Sequence, residues 1–159
     1  MINAILACDD HGGIGKNNTL PWPHNSQDLQ WFKQHTQNTI VIMGAATWAS
    51  DGMPKPLPRR YNIVVTSRPE NYPGAHAYIT KNICEEIKLI DSVANKQVWI
   101  IGGGKLIEQT LPIIDNFYLS RIAGNYHCDT FIPLDKIKTL FQCSYTEQHD
   151  NVTFEIWKK

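Results

Sequence analysis

The run Asp28-Leu29-Gln30-Trp31-Phe32-Lys33 sets one carboxylate beside two large aromatics at the start of a helix. An acid on an apolar face is costly unless something binds to it, so the segment points to a small-molecule pocket. Just upstream, Ile14-Gly15-Lys16-Asn17-Asn18-Thr19-Leu20-Pro21-Trp22 is a Gly/Asn-rich loop carrying a Pro-Trp pair. Long connections such as Asp9 to Asn25 tend to be lids or binding loops in compact folds, and this one would close the pocket.

Three further places offer groups for an anionic ligand, each at the carboxyl end of an expected strand. Gly102-Gly103-Gly104 leads a helix, where glycines let a phosphate approach and the helix start supplies unpaired N–H groups. Gly44-Ala45-Ala46-Thr47 opens a second helix in the same way. Thr66-Ser67-Arg68 brings two hydroxyls and a guanidinium, suited to a phosphate ester. Together they would fit a pyrophosphate and one further phosphate, although the usual G-x-G-x-x-G fingerprint is absent. Taken singly, each feature has a plainer reading. An Asp in a first helical turn can simply answer the dipole, glycines can be a tight turn, and Trp31, Phe32 and Trp48 can be core. Their occurrence in one order along a short chain favours the functional reading.

The elements that must position these groups alternate between strand and helix. Ile2 to Cys8 is an almost continuous apolar run, as expected of a strand covered on both faces. Ser26 is the expected N-cap of a helix reaching about Thr36, with Asp28 in its first turn. Further strands are expected at Thr39 to Met43, Tyr61 to Thr66, His76 to Ile79, Val98 to Ile101 and Phe117 to Ile122. Helices are expected through Thr47-Trp48, from Glu85 to Val93, and from the glycine triplet to Pro112. Pro54-Lys55-Pro56-Leu57-Pro58 must be loop. Phe141 to Glu147 and Val152 to Trp157 read as a hairpin turning near His149-Asp150-Asn151. The fold class is therefore α/β, with a central, mostly parallel eight-stranded sheet, an antiparallel C-terminal edge hairpin and about four flanking helices.

With 159 residues and no linker or repeat, residues 1–159 are expected to form one domain. Fifteen basic and fifteen acidic side chains balance, which disfavours a nucleic-acid or anionic-membrane partner. The first residues carry no basic stretch before Asp9-Asp10, which reads as a buried strand and neither a signal peptide nor a membrane span. Cys8, Cys84, Cys128 and Cys143 are scattered without histidines at ligand spacing, so no metal is expected and the thiols read as reduced in a cytoplasmic protein.

Over nearly its whole length the chain resembles dihydrofolate reductases of the bacterial chromosomal kind. The resemblance rests on Ile14-Gly15 with Leu20-Pro21-Trp22, Asp28-Leu29 with Trp31-Phe32-Lys33, and Val41-Ile42-Met43-Gly44 with Thr47-Trp48. It continues through Pro56-Leu57-Pro58 with Arg60 and Asn62, Ile101-Gly102-Gly103-Gly104, Tyr118-Leu119 and Asp129-Thr130-Phe131. It implies NADPH-dependent reduction of 7,8-dihydrofolate to tetrahydrofolate in one-carbon metabolism, with hydride reaching C6 of the pterin and a proton reaching N5. It also implies antifolates among the ligands, while nothing in the sequence demands more than a monomer.

Residue by residue, the resemblance makes Asp28 the pterin's anionic partner, with Leu20 and Trp22 governing the water that delivers the proton. Ile5, Ala7, Leu29, Phe32 and Ile101 would wall the substrate rings, with Leu57 further out and Ser120 bonded to Asp28. Arg60, helped by Lys33, would clamp the glutamate tail. Cofactor contacts would come from Ala7, from the loop Gly13, Ile14, Gly15, Lys16, Asn17, Asn18, Thr19 and Leu20, and from Ala46 and Thr47. Thr66, Ser67 and Arg68 would hold the 2′-phosphate, and Gly102, Gly103, Gly104, Lys105, Leu106 and Ile107 the nicotinamide and pyrophosphate. Ala45 stands where the family has a cation, Ile107 replaces a frequent aromatic, and Asp51 falls where an apolar residue is usual, so that Met53 would take that place. Two other readings share the fold: a riboflavin-pathway-type pyrimidine reductase, and a non-catalytic NADPH-binding protein supported only by Ala45.

Overall fold

The computed structural model describes residues 1–159. The strand Ile2–Cys8 (β1) is followed by the short strand Gly13–Gly15 (β2) and the helix Ser26–Thr36 (α1). Strand Ile40–Gly44 (β3) leads into the single turn Ala45–Trp48 (α2), then come strands Tyr61–Val65 (β4) and Ala77–Ile79 (β5) and the helix Ile83–Val93 (α3). Strand Val98–Ile100 (β6) precedes the helix Gly104–Thr110 (α4), and Asn116–Ile122 (β7) follows. The chain closes with the two-residue strand Thr130–Phe131 (β8), the helix Leu134–Leu140 (α5) and the hairpin Gln142–Gln148 (β9) and Val152–Lys158 (β10).

Eight strands form one sheet in the order β5-β4-β3-β6-β1-β7-β10-β9, parallel from β5 to β7 and antiparallel at β10 and β9. Runs such as Ile40-Val41-Ile42-Met43 are β-branched and apolar because both faces of the sheet are covered. One face, with Ile2, Ala4, Ile42, Ile100 and Phe117, packs under α3, α4 and α5 through Ile87, Ile107 and Ile137. The other face, with Ile5, Val41, Met43, Val64 and Trp99, packs against Trp31 and Phe32 of α1 and Trp48 of α2. Ligand chemistry in such sheets gathers at the carboxyl ends of the strands, and those ends bring Ala7, Gly44, Thr66 and Ile101 to one rim.

Three local expectations change. Asn25, not Ser26, is the N-cap of α1: its side chain accepts from Asp28 N at 2.9 Å, while Ser26 already lies inside the helix. The flanking helices number five, because Leu134–Leu140 is helical with only Ile137 buried, too thin an apolar stripe to stand out. A separate two-stranded sheet, β2 with β8, was also unforeseen.

That small sheet laces the loop after β1 to the loop after β7. Asp9, fully buried, accepts from His11 N and Gly13 N at 2.9 Å within its own loop and from Tyr126 N at 3.0 Å across the gap. Asp10 accepts from Gly124 N at 2.9 Å, and Asp129 accepts from Asn17 N at 3.0 Å in the reverse sense. The tip of the first loop is a two-residue turn, with Lys16 and Thr19 exchanging backbone bonds of 2.9 and 3.0 Å. Asn17 and Asn18 both adopt left-handed φ angles there, which asparagine tolerates better than most residues.

Gly13 is a close-approach glycine: a Cβ there would come within 2.5 Å of both Cβ and Sγ of Cys128. Gly13→Ala is expected to destabilise the chain by about 1–3 kcal/mol in thermal or denaturant melts. The loss shrinks in a Cys128→Gly background, where both colliding atoms are gone; an undiminished loss would place the collision elsewhere.

Candidate active site

The inward stripe of α1 consists of Asp28, Trp31, Phe32, His35 and Thr36, at i, i+3, i+4, i+7 and i+8. Four of these are apolar, aromatic or buried, and the fifth is a carboxylate. Behind it Trp31 stacks on Phe154 of β10, with centroids 4.4 Å apart and planes 11° from parallel. His35 lies edge-on to Trp31 at 4.4 Å and to Tyr118 at 4.9 Å, and Trp99 meets Tyr118 at 4.9 Å. Such contacts contribute about 0.5–1.5 kcal/mol each beyond area burial, so the box fixes the rotation of α1 and with it the place of Asp28.

No Lys, Arg or His lies within ion-pair distance of Asp28. Burial drives its carboxyl above the ordinary aspartate range, and only the Ser120 hydroxyl pulls the other way. Ser120 Oγ is buried and closes no full hydrogen bond inside the chain, which leaves it available to the carboxylate. The titratable ring on the same stripe supplies no charge either, since burial holds the pKa of His35 down. The site therefore presents a carboxylate with one neutral hydroxyl beside it and no cation opposite.

Register brings the expected walls to this acid. Ser120 pairs with Ala7 on β1 and with Phe154 on β10, and Ile5 pairs with Tyr118 two residues away on the same face. Phe32, Leu57 and Ile101 fall in one cluster with Trp48, and Met53 packs there while Asp51 is exposed. Trp22 is buried against Tyr126, centroids 5.9 Å apart, in a cluster with Ala7 and Trp31, so it anchors the loop; Leu20 beside it is 57% exposed. Leu29 is 46% exposed on α1.

At the far end of α1 the loop 54–60 returns to the helix. Arg60 Nε donates to Pro58 O at 2.9 Å, Nη1 donates to Thr36 Oγ1 at 3.0 Å, and the guanidinium sits 5.8 Å above the Phe32 ring. Burial lowers its pKa from the guanidinium norm, but the group stays charged at any ordinary pH. Lys33, Pro58, Arg59 and Arg60 line a recess of about 210 Å³ that no acidic side chain enters. This arrangement suits a carboxylate from outside.

The strand ends β3 and β6 bring two glycine turns together. Gly44 N donates to Gly102 O at 2.8 Å, and a Cβ on Gly44 would stand 3.7 Å from Gly103 N. Thr47 Oγ1 lies against both Gly102 and Gly103. The first N–H groups of α4 have no acceptors within the helix, and Lys105 is exposed among them. Ala46 is exposed beside them, and Ser67 and Arg68 are exposed past the end of β4. Thr66 Oγ1 accepts from Arg68 N at 3.1 Å, so its hydroxyl holds that turn.

Two expected contacts sit elsewhere. Leu106 and Ile107 are 4% and 0% exposed and pack into the core on the opposite face of the sheet. Their apolar side chains belong to the core, leaving the backbone of Gly104 and Lys105 as what this turn presents. Asn17 and Asn18 owe their identity to the turn described above. A cleft of about 730 Å³ between α1 and the hairpin, lined by Gln27, Gln30, Tyr145 and Glu147, holds none of the residues expected to bind substrate or cofactor. Conversely, sequence reasoning assigned no role to Thr36 or Asn62; a polar residue inside the apolar run of β4 was the available signal.

Comparison with known proteins agrees with this geometry. The chain matches the dihydrofolate reductase family over residues 1–158. It is 34% identical to dihydrofolate reductase type 9 of Escherichia coli, covering 98% of this chain and 92% of that one. It is 38% identical to the Haemophilus influenzae dihydrofolate reductase over 81% of this chain and 76% of the relative. A solved dihydrofolate reductase from Enterococcus faecalis, complexed with NADP(H) and RAB-propyl, superposes with a TM-score of 0.83 at 28% identity, covering 99% of this chain and 95% of that one. The chain belongs to the dihydrofolate reductase family.

A carboxylate with a raised folded-state pKa favours folding while protonated and loses that contribution as pH rises through the folded value. Asp28→Asn is therefore expected to melt above the unmodified chain at neutral pH and level with it in acid below the ordinary aspartate range. Turnover should fall by roughly 10²-fold or more at the same time. A variant that is less stable at neutral pH, or fully active, contradicts the assignment.

Proposed function

We propose that this chain reduces 7,8-dihydrofolate to 5,6,7,8-tetrahydrofolate with NADPH as reductant, acting as a cytoplasmic monomer without a nucleic-acid partner. The single observation that carries the reading is Asp28: a part-buried carboxylate on the inward stripe of α1, raised by burial, with no cation of the protein's own. The site draws every group from one chain, and the formal net charge is zero. Four free cysteines suit a reducing compartment, and no helix is long and apolar enough to cross a membrane.

Asp28 would accept hydrogen bonds from the 2-amino group and N3 side of the pterin, the pattern that a carboxylate without a cation can offer. That anion polarises the ring toward protonation at N5 and orients it in the cleft between Ile5, Ala7, Leu29, Phe32 and Ile101. N5 lies on the far side of the ring from Asp28, so water carries the proton, and Leu20 with the loop anchored by Trp22 controls its access. Arg60 and Lys33 would bind the α-carboxylate of the tail, with Leu57 against the benzoyl group. The same acid would accept from diaminopyrimidine-type antifolates.

The glycine cradle fits the phosphates of NADPH. A side chain at Gly44 would stand against the Gly103 amide and one at Gly103 against the Thr47 hydroxyl, and Lys105 and Arg68 supply cations at the rim. Gly13 to Thr19, Ala46, Thr47 and Gly102 to Lys105 would hold it, and Ser67 and Arg68 would select its 2′-phosphate, offsetting the cation missing at Ala45. Bound there, NADPH would supply the hydride that pterin C6 accepts. The pyrimidine-reductase alternative is not favoured, because Asp28 would have no purpose in it.

Loss of absorbance at the NADPH band on adding dihydrofolate tests the reading, with much slower loss expected for NADH. Arg60→Ala should raise the KM for dihydrofolate roughly 10- to 100-fold, the scale of a lost charge-assisted pair, and leave a tail-less pteridine almost unchanged. Equal effects on both substrates would remove Arg60 from the tail.

A further inference from the structure

Asn62 is completely buried on β4, between Tyr61 and Ile63, and is the only amide side chain in that strand. Its Oδ1 accepts from Leu57 N at 2.9 Å, and its Nδ2 donates to Leu57 O at 3.0 Å and to Arg60 O at 2.8 Å. Those three bonds span the whole 57–60 turn from a rigid strand. The strand itself is pinned at the same residue, where Asn62 N donates to His76 Nδ1 at 2.8 Å and Asn62 O accepts from His76 N at 3.0 Å.

The turn needs such a frame. Pro58 has no N–H to contribute, Arg59 sits at a left-handed φ of 59°, and the surrounding segment carries three prolines in five residues. No strand pairing reaches residues 54–60, so their backbone has few other fixed partners. The guanidinium of Arg60 then takes its direction from Pro58 O, which moves with the turn, and from Thr36 Oγ1, which stays with α1, so a shift of the turn pulls the two apart.

We propose that Asn62 is a positioning residue for the substrate tail: it touches no substrate, and it sets the orientation of Leu57 and Arg60 through the backbone of the turn. The inference rests on the reading of Arg60 as the partner of the tail carboxylate. It makes tail affinity, and not the chemical step at the pterin, the property that depends on Asn62. A residue that merely stabilised the fold would lower all activities together.

The experiment is a double-mutant cycle on the full chain with NADPH, using dihydrofolate and a tail-less dihydropteridine. Asn62→Ala is expected to raise the KM for dihydrofolate about tenfold, with kcat and the tail-less substrate within about twofold of the unmodified chain. In an Arg60→Ala background the same substitution should add almost nothing, because the group it orients is gone. If Asn62→Ala melts below the assay temperature, Asn62→Ser, which keeps one small donor, carries the test with an intermediate KM shift. An unchanged dihydrofolate KM in Asn62→Ala or Asn62→Ser overturns the inference alone, as does an equal loss for both substrates or full additivity with Arg60→Ala. An unchanged KM in Arg60→Ala by itself overturns the tail reading and the inference with it.

Discussion

Asp28 has to remain on the inward face of α1 without a cation, and much of the surrounding structure is arranged to enforce that. Left to itself, a buried carboxylate rotates toward solvent or recruits a positive partner, since desolvating an ion costs several kcal/mol. Here the helix cannot turn, because Trp31 is stacked on Phe154 and His35 is wedged between Trp31 and Tyr118. Nor does a charge come to meet the acid: His35 is held neutral by burial, and Arg60 is engaged with Thr36 and Pro58. On the proposed reading, stability is given up at this one position so that an incoming heterocycle meets an anion without a cation.

The remaining parts follow from the same sheet. Parallel strands end along one rim, so the acid's neighbours Ala7 and Ile5, the glycine turns after β3 and β6, and the hydroxyl-and-arginine turn after β4 meet without any long excursion of the chain. The loop that would cover them is held from behind by carboxylates. Asp9 is buried, yet its pKa is lowered, because the bonds from Tyr126, Gly13 and His11 outweigh the cost of burial. Asp9 and Asp28 thus show opposite outcomes of one balance: the first is satisfied by backbone N–H groups and stays ionised at low pH, the second is left wanting and is raised.

Much of this was legible in the residues. Strands buried on both faces announce themselves as β-branched runs, and the Asp-x-x-Trp-Phe stripe, the glycine triplet and the Arg60 turn lie where their residue types indicated. What was not legible depended on long-range partners. The turn Gly13–Gly15 becomes a strand only because Phe131 and Thr130 pair with it. Leu134–Leu140 buries one side chain and offers little periodicity. Asn25 and Ser26 are both good caps, and only the bond to Asp28 N decides between them. Leu106 and Ile107 follow the glycine turn but lie in a helix whose side chains enter the core, which spacing alone does not reveal. Asn62 was visible as a polar residue in an apolar strand, but its three bonds to residues 57 and 60 depend on how the proline-rich turn folds back.

The charge state of one carboxyl group is the property on which the site most directly depends. Carbon-13 NMR of aspartate-labelled protein, with the Asp28 resonance assigned by its loss in Asp28→Asn, would follow its titration with and without a diaminopyrimidine bound. The free protein should show Asp28 titrating above the ordinary aspartate range, and the complex should hold it ionised down to lower pH, as a cationic heterocycle supplies the missing partner. An ordinary titration in the free protein that the diaminopyrimidine leaves unmoved would contradict the account.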